Sequence, residues 1–148
     1  MHCSKNERSA MVTYWDASAL VPLVVREATT ELYMKIAEET QIVTWWGSYL
    51  ECTSAIARLA RLGSAPAQVA ESCRMLELLA GEWLEIGSSE KLRRGAARTL
   101  KTHVLGTSDA VQFGAAIIAS GFEPHTARLV AEDKHLRQAV DREGFVVG

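Results

Sequence analysis

Residues 12–25 read VTYWDASALVPLVV, and the class of fold turns on this stretch. Val12, Thr13, Tyr14 and Trp15 are the β-branched and aromatic types that suit a pleated, half-buried surface, and the run stops at Asp16. From Ala17 the small and apolar residues up to Val25 fit a helix, with Pro22 placed in a first turn. A short apolar strand, an acid at the turn and a helix make one βα unit. Outward from it, the pattern recurs. Residues 29–39 read as a helix, 41–45 as a second strand, and Ser48 opens a helix that continues to Leu62 and is stopped by Gly63. A helix over 67–80 and a third strand over 82–86 follow, then a Ser-capped helix from Glu90 to about His103. Thr107 and Ser108 open a helix that runs to Ser120, and strands over 128–131 and 144–147 bracket a helix over 134–142. Short apolar strands alternating with amphipathic helices predict an α/β class with a parallel sheet, in preference to all-α or all-β.

The chain has 148 residues, 48% hydrophobic and 23% charged, which fits one domain with a core of ordinary size. Residues 1–10, MHCSKNERSA, read as a polar tail, and 11–148 as a single domain without repeats or a linker. The formal charge of -2 excludes nucleic-acid binding by bulk positive charge, so any such binding needs a local patch. Cys3, Cys52 and Cys73 are odd in number and form no C-x-x-C, which indicates neither a disulfide framework nor a cysteine zinc site and fits a reducing cytoplasm. No apolar run approaches the roughly 20 residues needed to span a bilayer, and neither export nor membrane insertion is expected.

The chemistry-bearing residues narrow quickly. Phosphate-binding loops of the G-x-x-x-x-G-K-[ST] and G-x-G-x-x-G types and the G-x-S-x-G elbow are absent, and the four histidines have no H-x-x-x-H or H-E-x-x-H spacing. The acids remain. Asp16 follows the first strand, Asp109 opens a helix after Thr107 and Ser108, and Asp133 follows the strand over 128–131. Each alone has a plain explanation as a helix cap or first-turn acid, and Ser48-x-x-Glu51 matches a capping box. Together they say more, because in an open parallel sheet the strand ends and helix starts share one edge, where ligands bind at a switch point. Carboxylates converging there repel by roughly 4 kcal/mol per close pair at about 4 Å and an effective dielectric near ~20. Helix dipoles return only about 0.3–1 kcal/mol each. A divalent cation resolves that conflict, and an all-oxygen set points to Mg²⁺ or Mn²⁺ and to phosphodiester hydrolysis.

Four segments carry a resemblance: Tyr14-Trp-Asp16-Ala-Ser18-Ala-Leu20, Glu51 early in a helix, Leu105-Gly-Thr-Ser-Asp109-Ala-Val111, and Val130-Ala-Glu-Asp133-Lys-His-Leu136. In this order they resemble the PIN domain family, especially the VapC-type toxin ribonucleases, over nearly the whole chain. The resemblance implies a three-layer α/β/α sandwich with a central, mostly parallel five-stranded sheet, and a metal-dependent endoribonuclease leaving 5′-phosphate and 3′-hydroxyl ends. It places Asp16, Glu51, Asp109 and Asp133 at the family's metal-binding acids; on mechanistic grounds Asp16, Glu51 and Asp109 are assigned to the main cage for Mg²⁺ or Mn²⁺ and Asp133 to a weaker or water-mediated contact. Ser18 matches a hydroxyl residue two positions after the first acid; its other reading is a helix-start cap. Ala131 stands where the family often has Thr or Ser, and Glu132 beside Asp133 is a second departure, read as pointing to solvent. The implied partners are RNA and a cognate antitoxin.

RNA requires local cations, and Arg94, Arg98 and Lys101 share a face of the helix from Glu90 to His103, the one basic concentration in the chain. That face is otherwise a solvated one. Trp15, Trp45 and Trp83 end strand runs and are assigned to packing, leaving Trp46 exposed. The stripe Ile56, Leu59 and Leu62 with Val69, Met75, Leu76 and Leu79 reads as mostly core, shared in part with a homodimer or antitoxin contact. Two other readings stand beside the nuclease. One is a non-catalytic PIN-like RNA-binding or interaction module whose acids cap helices. The other is a phosphate-transfer receiver, disfavoured because the last strand offers Val146-Val147-Gly148 where a lysine is wanted.

Overall fold

The computed structural model describes residues 11–148; the expected polar tail over 1–10 lies outside the described residues. The elements run β1 (Val12–Trp15), α1 (Ala17–Val24), α2 (Thr30–Glu39), β2 (Val43–Trp45), α3 (Ser48–Arg61), α4 (Pro66–Glu82) and β3 (Leu84–Ile86). They continue with α5 (Glu90–Thr102), α6 (Thr107–Ala119), a 3₁₀ turn (Pro124–Thr126), β4 (Ala127–Val130), α7 (Lys134–Arg142) and β5 (Val146–Val147). The five strands form one sheet in the order β3-β2-β1-β4-β5, and every pairing is parallel.

Alternation along β1 sends Tyr14 to one face and Trp15 to the other. Tyr14, Ala127 and Leu129 pack with Leu92, Phe113, Leu136 and Val140, so α5, α6 and α7 cover that side. Trp15 and Val130 pack with Leu20, Leu23, Tyr33, Ile56 and Leu76, so α1 to α4 cover the other. The result is the expected three-layer α/β/α sandwich. Burying each large apolar side chain contributes about 1.5–3 kcal/mol, and β1, apolar on both faces, anchors both cores. On the first side, α5 and α6 approach at Gly114, where a Cβ would stand 3.0 Å from the Ala96 amide nitrogen and 3.3 Å from the Leu92 carbonyl.

Several boundaries differ from expectation. Pro22 lies in the second turn of α1, not the first; it removes the amide that would bond the Ser18 carbonyl, and α1 ends two residues later. Glu82 belongs to α4 rather than to the third strand, because the Trp83 amide still bonds the Leu79 carbonyl at 2.9 Å and holds the helix to that point. Leu62 is exposed rather than core: it caps α3 just before Gly63, whose φ of 86° turns the chain away. Trp15 and Trp83 are buried and Trp46 is exposed, as expected. Among the described residues no helix is long and apolar enough to cross a membrane.

The strand order reverses between β1 and β4. From β1 the chain moves through β2 and β3 in one direction, then returns to place β4 on the other side of β1. The crevice beyond the carboxyl ends of β1 and β4 is therefore the switch point, and Asp16 and Asp133 stand just after those two strands.

Candidate functional site

Asp16 caps α1. Its Oδ2 accepts the Ser18 amide at 3.0 Å and the Ser18 hydroxyl at 2.5 Å. The same hydroxyl accepts the amides of Glu132 at 2.9 Å and Asp133 at 3.3 Å, so Ser18 ties the β1–α1 turn to the β4–α7 turn across the crevice. Ser18 thus stands in the first turn of α1, which Asp16 caps, with its hydroxyl on the first acid and on the backbone of the turn that carries the last. Glu132 is exposed, as expected, and accepts the Thr29 hydroxyl at 3.2 Å. Asp133 caps α7 through Oδ1, which accepts the Leu136 amide at 2.8 Å.

The capping box at Ser48 does not form. Gly47 is the cap of α3 and makes no side-chain cap bond. Glu51 turns instead toward α6, where Oε1 accepts the Ser108 hydroxyl at 2.6 Å and Oε2 accepts the Gln112 amide at 2.5 Å. Gln112 is 1% exposed and fully occupied: Oε1 accepts the Tyr14 hydroxyl at 2.5 Å, and Nε2 also donates to Ser48 Oγ at 3.1 Å. Ser48 meets Thr44 at 2.6 Å, and Thr44 donates to the Trp15 carbonyl at 2.8 Å. A continuous polar chain thus runs from β1 and β2 through α6 to Glu51. Sequence reasoning missed Gln112 and Ser108 as Glu51 partners, although Ser108 and Gln112, four apart, are neighbours on one helical face.

Asp109 sits in the first turn of α6 and receives no hydrogen bond among the described residues. Burial raises its pKa first, then the charges of Asp133 and Glu51, with His135 acting in the opposite sense. Asp16 is 4% exposed. Burial pushes its carboxyl up to about 7, the Ser18 hydrogen bonds restrain it, and the charges of Glu51 and Asp109 add to the rise. Asp16 and Asp109 thus each feel Glu51, and Asp109 also feels Asp133, so the four acids form one electrostatic group at the switch point. The neighbouring Cys52 thiol is pushed up to about 12 by burial, then by Glu51 and Asp16, and is no thiolate near neutral pH.

The donor set is oxygen throughout, which suits a hard cation such as Mg²⁺ or Mn²⁺. As placed, however, no three His, Cys, Asp or Glu side chains among the described residues make a ready metal group. Asp16, Glu51 and Asp133 each turn at least one oxygen to a protein donor, and each carboxylate keeps further lone pairs with which it could meet a cation.

The α5 cations do not join the acids. Arg94 pairs with Glu90 at 3.2 Å, an exposed pair of little strength, and Arg98 pairs with Glu143 at 3.2 Å. Glu143 also meets His103 Nε2 at 3.0 Å, and His103 stacks on Phe113. Lys101 stays exposed and in no ion pair among the described residues. Two clefts flank α2. One of about 330 Å³ is lined mainly by apolar residues such as Leu23, Met34 and Leu79, with Glu38 and Glu82. The other, about 540 Å³, includes Lys35, Arg128 and Arg137.

The fold and site define the class: a parallel three-layer α/β sandwich with acids at its switch point. No family model matches the chain, and no curated protein matches its sequence. Among solved structures it is similar to the crystal structure of PAE2754 from Pyrobaculum aerophilum, with a TM-score of 0.64 and 22% identity over 93% of this chain and 84% of that one. That likeness concerns the fold.

Proposed function

We propose that this chain is a Mg²⁺- or Mn²⁺-dependent endoribonuclease of PIN type, the toxin of a toxin and antitoxin pair, acting in the cytoplasm as a homodimer. The observation that carries the reading is the electrostatic group of Asp16, Glu51, Asp109 and Asp133, drawn from four parts of the chain. Asp16, Glu51 and Asp109 would hold the cation, with Asp133 a weaker contact. When bound, the cation supplies Lewis acidity and positive charge for phosphodiester hydrolysis. The protein supplies position. Ser18 fixes Asp16 against the loop of Asp133, and Gln112 with Ser108 fixes both oxygens of Glu51. Asp16, raised to about 7 by burial without metal, would give up its proton on holding the cation. No side-chain nucleophile is required.

The non-catalytic module is the second reading, and the cap bonds of Asp16 and Asp133 favour it. Glu51 and Asp109 make no cap bond, which favours the first. The test is 5′-end mapping of total RNA incubated with antitoxin-free protein and Mg²⁺ or Mn²⁺, beside Asp109→Asn and a chelated control. Discrete metal-dependent cuts that vanish in the variant support the nuclease. No cuts, with no metal binding by calorimetry, overturn it in favour of the module.

A further inference from the structure

The larger cleft beside α2 gathers three cations from three elements: Lys35 of α2, Arg128 of β4 and Arg137 of α7. None of the three is in an ion pair among the described residues. Arg128 shares the sheet face of Val130, by alternation, and reaches the cleft between β4 and α2. Arg137 lies one helical turn beyond Asp133, and its Nη1 bonds the Ala131 carbonyl at 3.4 Å, which holds the guanidinium beside the turn that carries the last acid. One end of the cleft therefore adjoins the acid site and the other leads away from it.

The charge balance is unusual for this chain. Glu39 is the one acidic side chain among the described residues of the lining, Gly148 packs against the Arg128 guanidinium, and Glu132 stands near the Arg137 end, where both influence Tyr33. The cleft on the opposite flank of α2 has the reverse character, with two acids and no cation. Like charges held together without partners are a load on folding that a polyanion relieves on arrival. A phosphate backbone also needs cations spaced along a path, rather than a single contact, and these three come from separate elements along the cleft. The α5 face lacks this property, since Arg94 and Arg98 already meet carboxylates.

We infer that Lys35, Arg128 and Arg137 form the track that holds the phosphate backbone of an RNA strand as it runs from the acid site, an assignment that rests on the ribonuclease reading above. Base identity plays no part in it: the contacts are to phosphate, and they position the strand.

Fluorescence anisotropy with a short labelled single-stranded RNA, in EDTA so that no cleavage intervenes, tests the track. The variant combining Lys35→Ala, Arg128→Gln and Arg137→Gln is expected to bind about tenfold or more weakly at low salt, with a log–log salt slope shallower by about two. Its melting temperature without RNA is expected to equal or exceed that of the parent, which separates a lost contact from a lost fold. Unchanged affinity in this variant, or a loss confined to Arg94→Ala with Arg98→Ala, overturns the track. So does an equal loss of binding to poly-glutamate, which would assign the cleft to an acidic protein partner. The nuclease reading is scored separately by cleavage in Mn²⁺: weakened RNA binding without any cleavage by the parent retains the track and removes the nuclease, and cleavage with unaltered binding does the reverse.

Discussion

Gln112 holds Glu51 from below: its Nε2 donates to Glu51 Oε2 at 2.5 Å while its own Oε1 accepts the buried Tyr14 hydroxyl at 2.5 Å. One amide thus sets the direction of an exposed-edge carboxylate from inside the core. Replacing it with an apolar residue of similar length leaves the Tyr14 hydroxyl and Ser48 without this partner.

Gln112→Met is therefore expected to destabilise the fold by about 2–4 kcal/mol, the penalty for unpaired buried groups. For a domain of this size that is a fall in melting temperature of about 4–16 °C. Gln112→Glu keeps an acceptor for Tyr14 but sets a carboxylate against Glu51, so its deficit should shrink on acidification. Melts at mildly acidic and alkaline pH separate the two effects. A Gln112→Met protein as stable as the parent would refute the account.

Asp16 gives a pH dependence whose sign is unusual for a carboxylate. Its folded pKa of about 7 lies above the ordinary 3.8 because burial outweighs the Ser18 bonds. Between those values the native state binds more proton than the unfolded chain, so stability falls as pH rises, levelling off once Asp16 is ionised in both states. The swing is of order 4 kcal/mol at most. Urea unfolding across this range should show the decline, and Asp16→Asn should flatten it and be the more stable protein at alkaline pH. A parent whose stability instead rises steadily toward neutrality would contradict the shift.

The parts of this arrangement that sequence discloses are the local ones. Asp16 and Asp133 stand at the ends of β-branched and apolar runs, so their place at one sheet edge follows from the strand and helix pattern alone. The partners of Glu51 do not. Ser48-x-x-Glu51 has the spacing of a capping box, yet Ser108 and Gln112, 57 and 61 residues away, take both oxygens. The basic face of α5 shows the same limit. Its periodicity was plain, but Glu143, 45 residues distant from Arg98, meets it only in the folded chain. Periodicity reports which face a residue is on, and cannot report which side chain the tertiary fold brings opposite.

Ser18→Ala removes three bonds at once: the donor to Asp16 Oδ2 and the acceptor for the Glu132 and Asp133 amides. The expected loss is about 1–2 kcal/mol, since the amides lie near the surface and regain water. Because the hydroxyl restrains the Asp16 pKa, its removal should raise that pKa further. A carboxyl ¹³C titration of Asp16 reads the shift directly, and Ser18→Thr should restore it. No change in the titration would reduce Ser18 to a helix-start residue.

Divalent cations supply the final discrimination between a metal site and a set of caps. If the acids hold Mn²⁺ when folded, added Mn²⁺ stabilises the protein, by about 2.7 kcal/mol at a hundredfold excess over Kd, and chelation reverses it. The gain should be larger above pH 7 than below, because burial keeps Asp16 protonated up to about that value and a protonated carboxyl is a poor ligand. Asp109 accepts no hydrogen bond among the described residues and has its pKa raised by burial, then by Asp133 and Glu51. Asp109→Asn should therefore raise the melting temperature of the metal-free protein while abolishing the Mn²⁺ response. A variant that is less stable without metal, and still stabilised by Mn²⁺, would mean that Asp109 serves the helix and that the cation, wherever it binds, is held by other groups.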